Sequence, residues 1–322
     1  MSEIIKIGCI GVGKHALTNI LPAINDLEIL KLDGVYCRNS KKSSLIAKHY
    51  KCQKYLTIKN LCNNKNLNAI YISSPSSLHF KHAMQVLKSN KHVLVEKPLC
   101  LNISQANQLI SLAKKKNLVL MEAFMYRFHK QYKTLEKIIL KKRLSKIRKT
   151  VSVFGIPKLD RFNIRYKKKL GGGSLNDLGV YPLSLVSFLL KDEISKVKLI
   201  NFKENKNKVD TYGKVNALLK KNNGQVDFEW YIGGKYKNTI KIIYDDCVIK
   251  SKFIFSKKTD LITEIIISNK NTVNKVKVDK DNHFLEMLKY FTLTISKREQ
   301  RILEYKNILK QINTLVTIKN YV

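Results

Sequence analysis

The fold turns on Lys91-His-Val-Leu-Val-Glu-Lys-Pro-Leu99. Its apolar centre, Val93-Leu-Val95, has no polar alternation, the pattern of a parallel strand buried on both faces. The run ends in Glu96-Lys97 and is stopped by Pro98, which cannot donate a ladder hydrogen bond. In an open α/β sheet, ligands sit in the crevice outside the carboxyl ends of the strands, so Lys97 projects into that crevice. A salt bridge between neighbours at a strand tip is the alternative use of the same pair.

The residues upstream repeat the βα unit. Ile4–Ile10 reads as a first strand and 17–24 as a helix, with Gly11-Val-Gly13-Lys14-His15-Ala16 between them. This is G-x-G-x-x-A: Gly11 permits the tight turn, Gly13 lets the backbone approach a pyrophosphate, and Ala16 keeps helix and strand close. A second strand, about Leu30–Cys37, ends in Cys37-Arg38-Asn39-Ser40. An NAD-specific site carries an acid there for the ribose 2′-hydroxyl; Arg38 instead suits a 2′-phosphate. That favours NADP, with NAD as the alternative; an exposed arginine at a strand end is the bland reading. A helix near 41–50, a short strand and a helix at 58–63 follow. A fourth strand, Ala69–Ser73, leads through Ser74-Pro75-Ser-Ser-Leu-His79 into a helix reaching about Ser89, which Ser76 or Ser77 can cap. Beyond Pro98 come a helix at 103–116 and a strand at 118–121. This alternation predicts a doubly wound parallel sheet over residues 1–121.

From Glu122 the texture changes. Met121-Glu-Ala-Phe-Met-Tyr-Arg127-Phe-His129 leads into a helix expected over 131–143. Alternating strands are expected at 147–154, 214–219, 226–232, 239–244, 248–254, 261–268 and 272–278, joined by short Asn/Gly/Asp-rich links. Residues 122–322 therefore read as an α+β domain with an open, mostly antiparallel sheet. Between its first two strands lie Gly171-Gly-Gly-Ser-Leu-Asn-Asp177-Leu-Gly-Val-Tyr181-Pro and a helix to Leu190; helices at 283–296 and 299–318 end the chain.

Composition sets bounds. A chain of 322 residues buries a sizeable core and makes two domains. The formal charge of +37 invites a nucleic-acid reading. Arginine, however, occurs only at 38, 127, 143, 148, 161, 165, 298 and 301, and lysine supplies the remaining cations in nearly every segment. No groove is marked out, so nucleic acid is not an expected partner, and the field steers anionic ligands instead. No apolar run of 18 residues occurs and Met-Ser-Glu opens no signal peptide, so no membrane association is expected. Six cysteines without C-x-x-C spacing fit reduced thiols of the cytoplasm, and no cluster has metal-ligand spacing.

Together these residues resemble the oxidoreductase family of glucose-fructose oxidoreductase, inositol dehydrogenase and MocA (Gfo/Idh/MocA). The Glu96-Lys97-Pro98 stretch carries most of the resemblance, supported by Ser74-Pro75-Ser-Ser-Leu-His79 and by Gly171–Tyr181. Tyrosine at 181, where several members carry histidine, is similar to dihydrodiol dehydrogenases and nucleotide-sugar 3-ketoreductases. Phe162-Asn-Ile-Arg165-Tyr166 and Tyr181-Pro-Leu lean towards the ketoreductases. The resemblance implies an NAD(P)-dependent enzyme acting on a carbinol or ketone carbon of a sugar or nucleotide-linked keto-sugar. A dihydrodiol or simple-sugar dehydrogenase is the alternative, and a non-catalytic NAD(P)-binding regulator is the alternative of another class. It implies coenzyme contacts at Gly11, Gly13, Lys14, His15, Arg38, Ser73, Ser74, Pro75, His79, Glu96 and Lys97. Substrate contacts fall on Lys97, Arg127, Arg165, Asp177 and Tyr181, and catalysis on Lys97, Asp177 and Tyr181. An open sheet with a free face also predicts a homodimer or homotetramer through the C-terminal sheet.

These residue types suit the chemistry. Tyr181 can be a general acid if a neighbouring cation lowers its pKa, and Lys97 can supply that cation and stabilise a developing alkoxide. Asp177, four residues earlier, shares a helix face with Tyr181 and can bind a substrate hydroxyl or fix Lys97. Structural uses compete with each role. Ser174-Leu-Asn-Asp177 is also a capping pattern, Tyr181 is also a core aromatic beside a helix-kinking Pro182, and His79 and His129 are also structural histidines. The glycine run 171–173 can cradle a phosphate, although no P-loop Lys-Ser/Thr follows it.

Overall fold

The computed structural model describes residues 4–142 and 145–322. Met1-Ser-Glu3 and Arg143, the end of the helix expected over 131–143, lie outside them. The chain forms two compact units: Met1–Phe124 with Phe284–Leu309, and Met125–His283 with Lys310–Val322.

The first unit is built on β1 (Ile5–Ile10), β2 (Leu30–Tyr36), β3 (Gln53–Lys54), β4 (Ala69–Ile72), β5 (His92–Val95) and β6 (Leu120–Glu122). All are parallel, in the order β3-β2-β1-β4-β5-β6. Ala69–Ile72 and Val93–Val95 are fully buried, which is why these strands show no alternation. The order reverses between β1 and β4, so the ligand crevice opens outside their carboxyl ends. A π-helical turn (Ala16–Ile20) and α1 (Leu21–Asn25) follow β1; then come α2 (Ser40–His49), α3 (Ile58–Asn63), α4 (His79–Lys88) and α5 (Ile103–Lys115). The expected serine cap of α4 is not formed. Ser76 and Ser77 lie inside a 3₁₀ turn (Ser76–Leu78), and the N-cap position, Leu78, makes no side-chain cap bond.

The expected boundary after residue 121 needs correcting in one substantial respect. Phe284–Leu309, assigned by sequence to the second domain, belongs to the first unit. It is tied there by long-range contacts that no local pattern announces. Tyr305 donates its hydroxyl hydrogen bond to Leu118 O, and Arg301 donates to Asn117 Oδ1 at 2.9 Å. Phe284 meets the His15 ring edge-on at 5.4 Å.

The second unit begins with α6 (Lys130–Lys141) and holds an eight-stranded sheet. Its strands are β7 (Ile147–Ile156), β8 (Ile194–Glu204), β9 (Asp210–Leu219), β10 (Gln225–Ile232), β11 (Lys237–Tyr244), β12 (Val248–Lys252), β13 (Thr263–Ser268) and β14 (Val273–Val278). The order is β14-β13-β12-β11-β7-β10-β9-β8, antiparallel except between β7 and β10. Strand β10 alternates half-buried and buried residues, placing Val226, Phe228, Trp230 and Ile232 on the inner face. Strand β8 has no counterpart among the strands expected from sequence. It is a lysine-rich edge strand, largely exposed, so it lacks the apolar alternation that marks its neighbours. Helix α7 (Val180–Phe188) is buried at every position. Two further helices, α8 (His283–Ser296) and α9 (Arg298–Lys319), end the chain, and α9 contributes to the second unit from Lys310 onward.

Candidate active site

In the first unit the glycine turn sits where β1 meets β4. Gly11 has φ +81°, and a Cβ there would come within 2.8 Å of Ser74 N and 2.9 Å of the Ser73 carbonyl. The loop after β4 therefore packs against the glycine turn backbone to backbone, which only glycine at position 11 allows. Gly13 differs: a Cβ there would meet nothing within 4 Å, and both Gly13 and Lys14 are exposed. That open backbone edge at the sheet's switch point is the cradle a pyrophosphate needs. Arg38, just past β2, is also exposed, and no carboxylate lies among residues 37–40. The residues present thus fit a dinucleotide.

The end of β5 is a hydrogen-bonded cluster. Glu96 Oε1 accepts from the Tyr71 hydroxyl at 2.7 Å and lies 3.4 Å from His15 Nε2. Burial alone would raise the Glu96 carboxyl, but His15, the Tyr71 bond and Lys97 outweigh it and hold it below the usual carboxylate range. Tyr71 is absent from the residues that sequence nominates. A tyrosine in an otherwise apolar strand is the available signal, because a buried hydroxyl needs a partner. Lys97 is half-buried beside the cis Lys97–Pro98 bond.

His79 Nδ1 lies 2.8 Å from Pro98 O and its Nε2 2.7 Å from Ser74 O. Both ring nitrogens are thus used on backbone, and the ring is buried, which lowers its pKa despite the two carbonyls. His79, expected at the coenzyme, pins the loop after β4 to the loop after β5 through these two bonds. The Ser74 hydroxyl is likewise engaged, 2.9 Å from His82 Nδ1, while Ser73–Pro75 stay half-exposed beside Gly11.

In the second unit the structure gathers Arg165, Asp177 and Tyr181. Arg165 Nε–H donates to Asp177 Oδ2. Although burial opposes its charge, Asp177 and Tyr181 hold the Arg165 guanidinium above its ordinary pKa, which places all three within electrostatic reach. Tyr181 is buried, with Phe154, Phe255 and Tyr126 ring centroids at 5.2, 5.6 and 6.0 Å and Met125 Sδ 3.6 Å from its hydroxyl. The segment joining Asp177 to Tyr181 is not a plain α-helix. Leu175–Gly179 is π-helical, Val180 N–H closing onto Leu175 O, and Pro182 falls in the first turn of α7. The wider turn still leaves positions 177 and 181 on neighbouring faces.

Other expectations are redirected here. Ser174 makes no cap bond to its own turn; its hydroxyl donates to Asp210 Oδ2 at 2.6 Å, and Leu175 N–H donates to the same oxygen at 2.6 Å. The glycine run is a packing device rather than a phosphate cradle. A Cβ on Gly172 would come 2.6 Å from Arg165 O, and Gly173, at φ +123°, would come 2.2 Å from Asp210 Oδ1. Arg127, expected at the substrate, lies with its guanidinium 4.2 Å over the Phe188 ring. Phe188 ends α7 and Tyr181 stands near its start, about 10 Å apart along the axis at 1.5 Å per residue. Among the described residues no group of His, Cys, Asp and Glu can hold a metal, and no helix is long and apolar enough to cross a membrane.

Comparison with known proteins agrees with both halves. Residues 5–124 match the model of the oxidoreductase family with an NAD-binding Rossmann fold, and residues 132–250 match the GFO/IDH/MocA C-terminal domain. A dTDP-3,4-didehydro-2,6-dideoxy-alpha-D-glucose 3-reductase of Saccharopolyspora spinosa is 30% identical over 226 residues, 70% of this chain and 68% of that one. A trans-1,2-dihydrobenzene-1,2-diol dehydrogenase of Xenopus tropicalis is 28% identical over 174 residues, 54% of this chain and 51% of that one. The 3-ketoreductase KijD10 of Actinomadura kijaniata, solved with NADP and TDP-benzene, superposes with a TM-score of 0.92 at 21% identity, over 99% of this chain and 98% of that one.

Proposed function

The chain belongs to the GFO/IDH/MocA family of NAD(P)-dependent oxidoreductases, and from that premise we propose that it reduces a ketone on a sugar, namely a nucleotide-linked 3-keto-sugar, with NADPH. The observation that carries the reading is the Arg165–Asp177–Tyr181 cluster: a carboxylate and a phenol on the π turn and first turn of one buried helix, with a cation brought to the carboxylate from the 3₁₀ turn Ile164–Tyr166. The relatives that reduce dTDP-linked sugars support the substrate class, and exposed Arg38 with no acid beside it supports NADP over NAD.

Gly11, Gly13, Lys14, Ser73 and Arg38 would hold the coenzyme, whose nicotinamide supplies the hydride when bound. Tyr181 gives its phenolic proton to the oxygen that becomes alkoxide. Lys97 supplies the cation for the negative charge growing on that oxygen. Asp177, fixed by Arg165, accepts from a substrate hydroxyl and orients the ring. We also place the protein in the cytoplasm, in keeping with its six free thiols. We take it to assemble as a homodimer or a homotetramer built from two dimers, since Val151, Thr239, Ile243 and Ile266 leave the outer sheet face partly apolar.

The test is NADPH oxidation followed against a panel of keto-sugars, free and dTDP- or UDP-linked, with trans-dihydrobenzenediol and inositols run in the oxidative direction. Turnover of a keto-sugar is expected. Turnover of the diol or inositols alone would move the assignment to the dehydrogenase branch, and coenzyme binding with no turnover would make the protein a regulator.

A further inference from the structure

Asp210 opens β9 and belongs to no motif. Its Oδ2 accepts both the Ser174 hydroxyl and the Leu175 N–H, each at 2.6 Å. Its Oδ1 occupies the space that a side chain at residue 173 would need, 2.2 Å from the Cβ position of Gly173. Ser174 is completely buried, so both donors depend on this carboxylate rather than on solvent. Leu175 is the hinge of the arrangement. Its N–H goes to Asp210 and its C=O receives the Val180 N–H, closing the π turn immediately before Tyr181. Asp177 N–H closes onto Gly173 O at 3.1 Å within the same knot.

Two hydrogen bonds therefore connect Asp210 to the residue preceding Tyr181. Winding matters at this point because re-registering a helix by one residue turns everything after it by about 100°. A π turn is intrinsically less stable than α winding and persists where its surroundings hold it. We propose that Asp210 is a positioning residue for the proton-transfer step: its clamp on Ser174 and Leu175 holds the winding that presents Asp177 and Tyr181. Asp210 acts through Tyr181 and not on substrate or coenzyme; the proposal rests on the ketoreductase reading above. Burial pushes the Asp210 carboxyl up, while Ser174 and the Leu175 N–H are among the donors that pull it back.

The experiment is a double-mutant cycle with the best keto-sugar of the panel, backed by hydrogen exchange that needs no substrate. Asp210→Ala in the native background should lower kcat about 10²-fold, the scale of an ångström-level misplacement, with little change in NADPH affinity. In the Tyr181→Phe background the same change should cost less than about threefold, because the group it positions is already gone. Asp210→Asn keeps an acceptor oxygen and should recover most of the rate. Exchange of the Leu175 and Val180 amides should quicken about tenfold or more in Asp210→Ala, corresponding to local opening. Equal losses of kcat in both backgrounds would show a general structural effect and overturn the proposal, as would unchanged Leu175 and Val180 protection. If Asp210→Ala does not fold, Ser174→Ala, which removes one of the two clamp bonds, carries the cycle, and full additivity with Tyr181→Phe is then the refuting result. A panel without turnover would sink the ketoreductase reading alone, leaving the clamp to be decided by amide exchange.

Discussion

Gly11 and Gly13 stand two residues apart in one turn, yet the structure gives them opposite liabilities. Alanine at Gly11 must hold φ near +81°, which costs about 1–2 kcal/mol for a residue with a Cβ. Its methyl would also lie within 2.8–2.9 Å of Ser74 N and the Ser73 carbonyl. Those are backbone atoms with no rotamer to swing away, and such overpacking costs about 1–3 kcal/mol more. The apoprotein should therefore lose about 2–5 kcal/mol, seen as a fall in Tm of roughly 5–15 °C. Alanine at Gly13 meets nothing within 4 Å. Its apo stability should stay within about 0.5 kcal/mol of wild type, or rise slightly by restricting the unfolded chain. The methyl would stand on the backbone edge assigned to the pyrophosphate, so NADPH affinity should fall about 10- to 100-fold, or about 1.4–2.8 kcal/mol. Calorimetry of the coenzyme-free proteins and titration of NADPH fluorescence read the two effects separately. A Gly13→Ala protein with wild-type NADPH affinity would refute the cradle, and a Gly11→Ala protein of unchanged Tm would refute the packing argument.

Arg38→Ala should weaken NADPH binding while leaving NADH nearly untouched; a wild-type protein that prefers NADH would remove Arg38 from the coenzyme site. Tyr181→Phe should lower turnover about 10²–10⁴-fold with little change in stability, and Lys97→Ala at least as much. The double variant should lose far less than the product of the two, as groups acting as a unit do, and strict additivity would separate their roles. His129 is buried, and burial, then Lys257, Lys130 and Lys133, pushes its pKa down to about 3. The unfolded chain takes up a proton between pH 6.5 and 3 that the folded chain refuses, so stability falls as pH drops through that window, by about 1.4 kcal/mol per unit. His129→Asn keeps a side-chain acceptor for Gln131 N–H and should flatten the slope in pH-dependent urea melts; an identical slope would remove His129 as its source. Light scattering should return a dimer or tetramer at micromolar concentration, and a 37.2 kDa monomer alone would end the assembly proposal.

Much of the first unit is legible in the amino-acid sequence because its determinants are local. A parallel strand buried on both faces must be apolar throughout, so Ile7–Ile10, Ala69–Ile72 and Val93–Val95 announce themselves. Gly11 is announced by its place directly after the first strand, where the turn takes φ +81°. The second unit is legible where one face is buried, as in β10, and lost where neither is, as in the lysine-rich edge β8. Arg165, Asp177 and Tyr181 can be named individually, but α-helical spacing cannot foresee the π turn. That turn is held by Asp210, 35 positions from Leu175. His79 and Arg127 are named by residue type, but their partners are not foreseen: His79 lies on two carbonyls and Arg127 over the Phe188 face. The return of Phe284–Leu309 to the first unit likewise rests on bonds such as Tyr305 to Leu118, spanning 187 positions. Most of the elements follow from backbone propensity and hydrophobic period acting over a few residues; the edge strand β8 and the π turn at Leu175–Gly179 do not. Only the tertiary structure decided which polar groups pair and which segment covers which core, because burial makes an unpaired donor or acceptor costly, and its partner can come from any point along the chain.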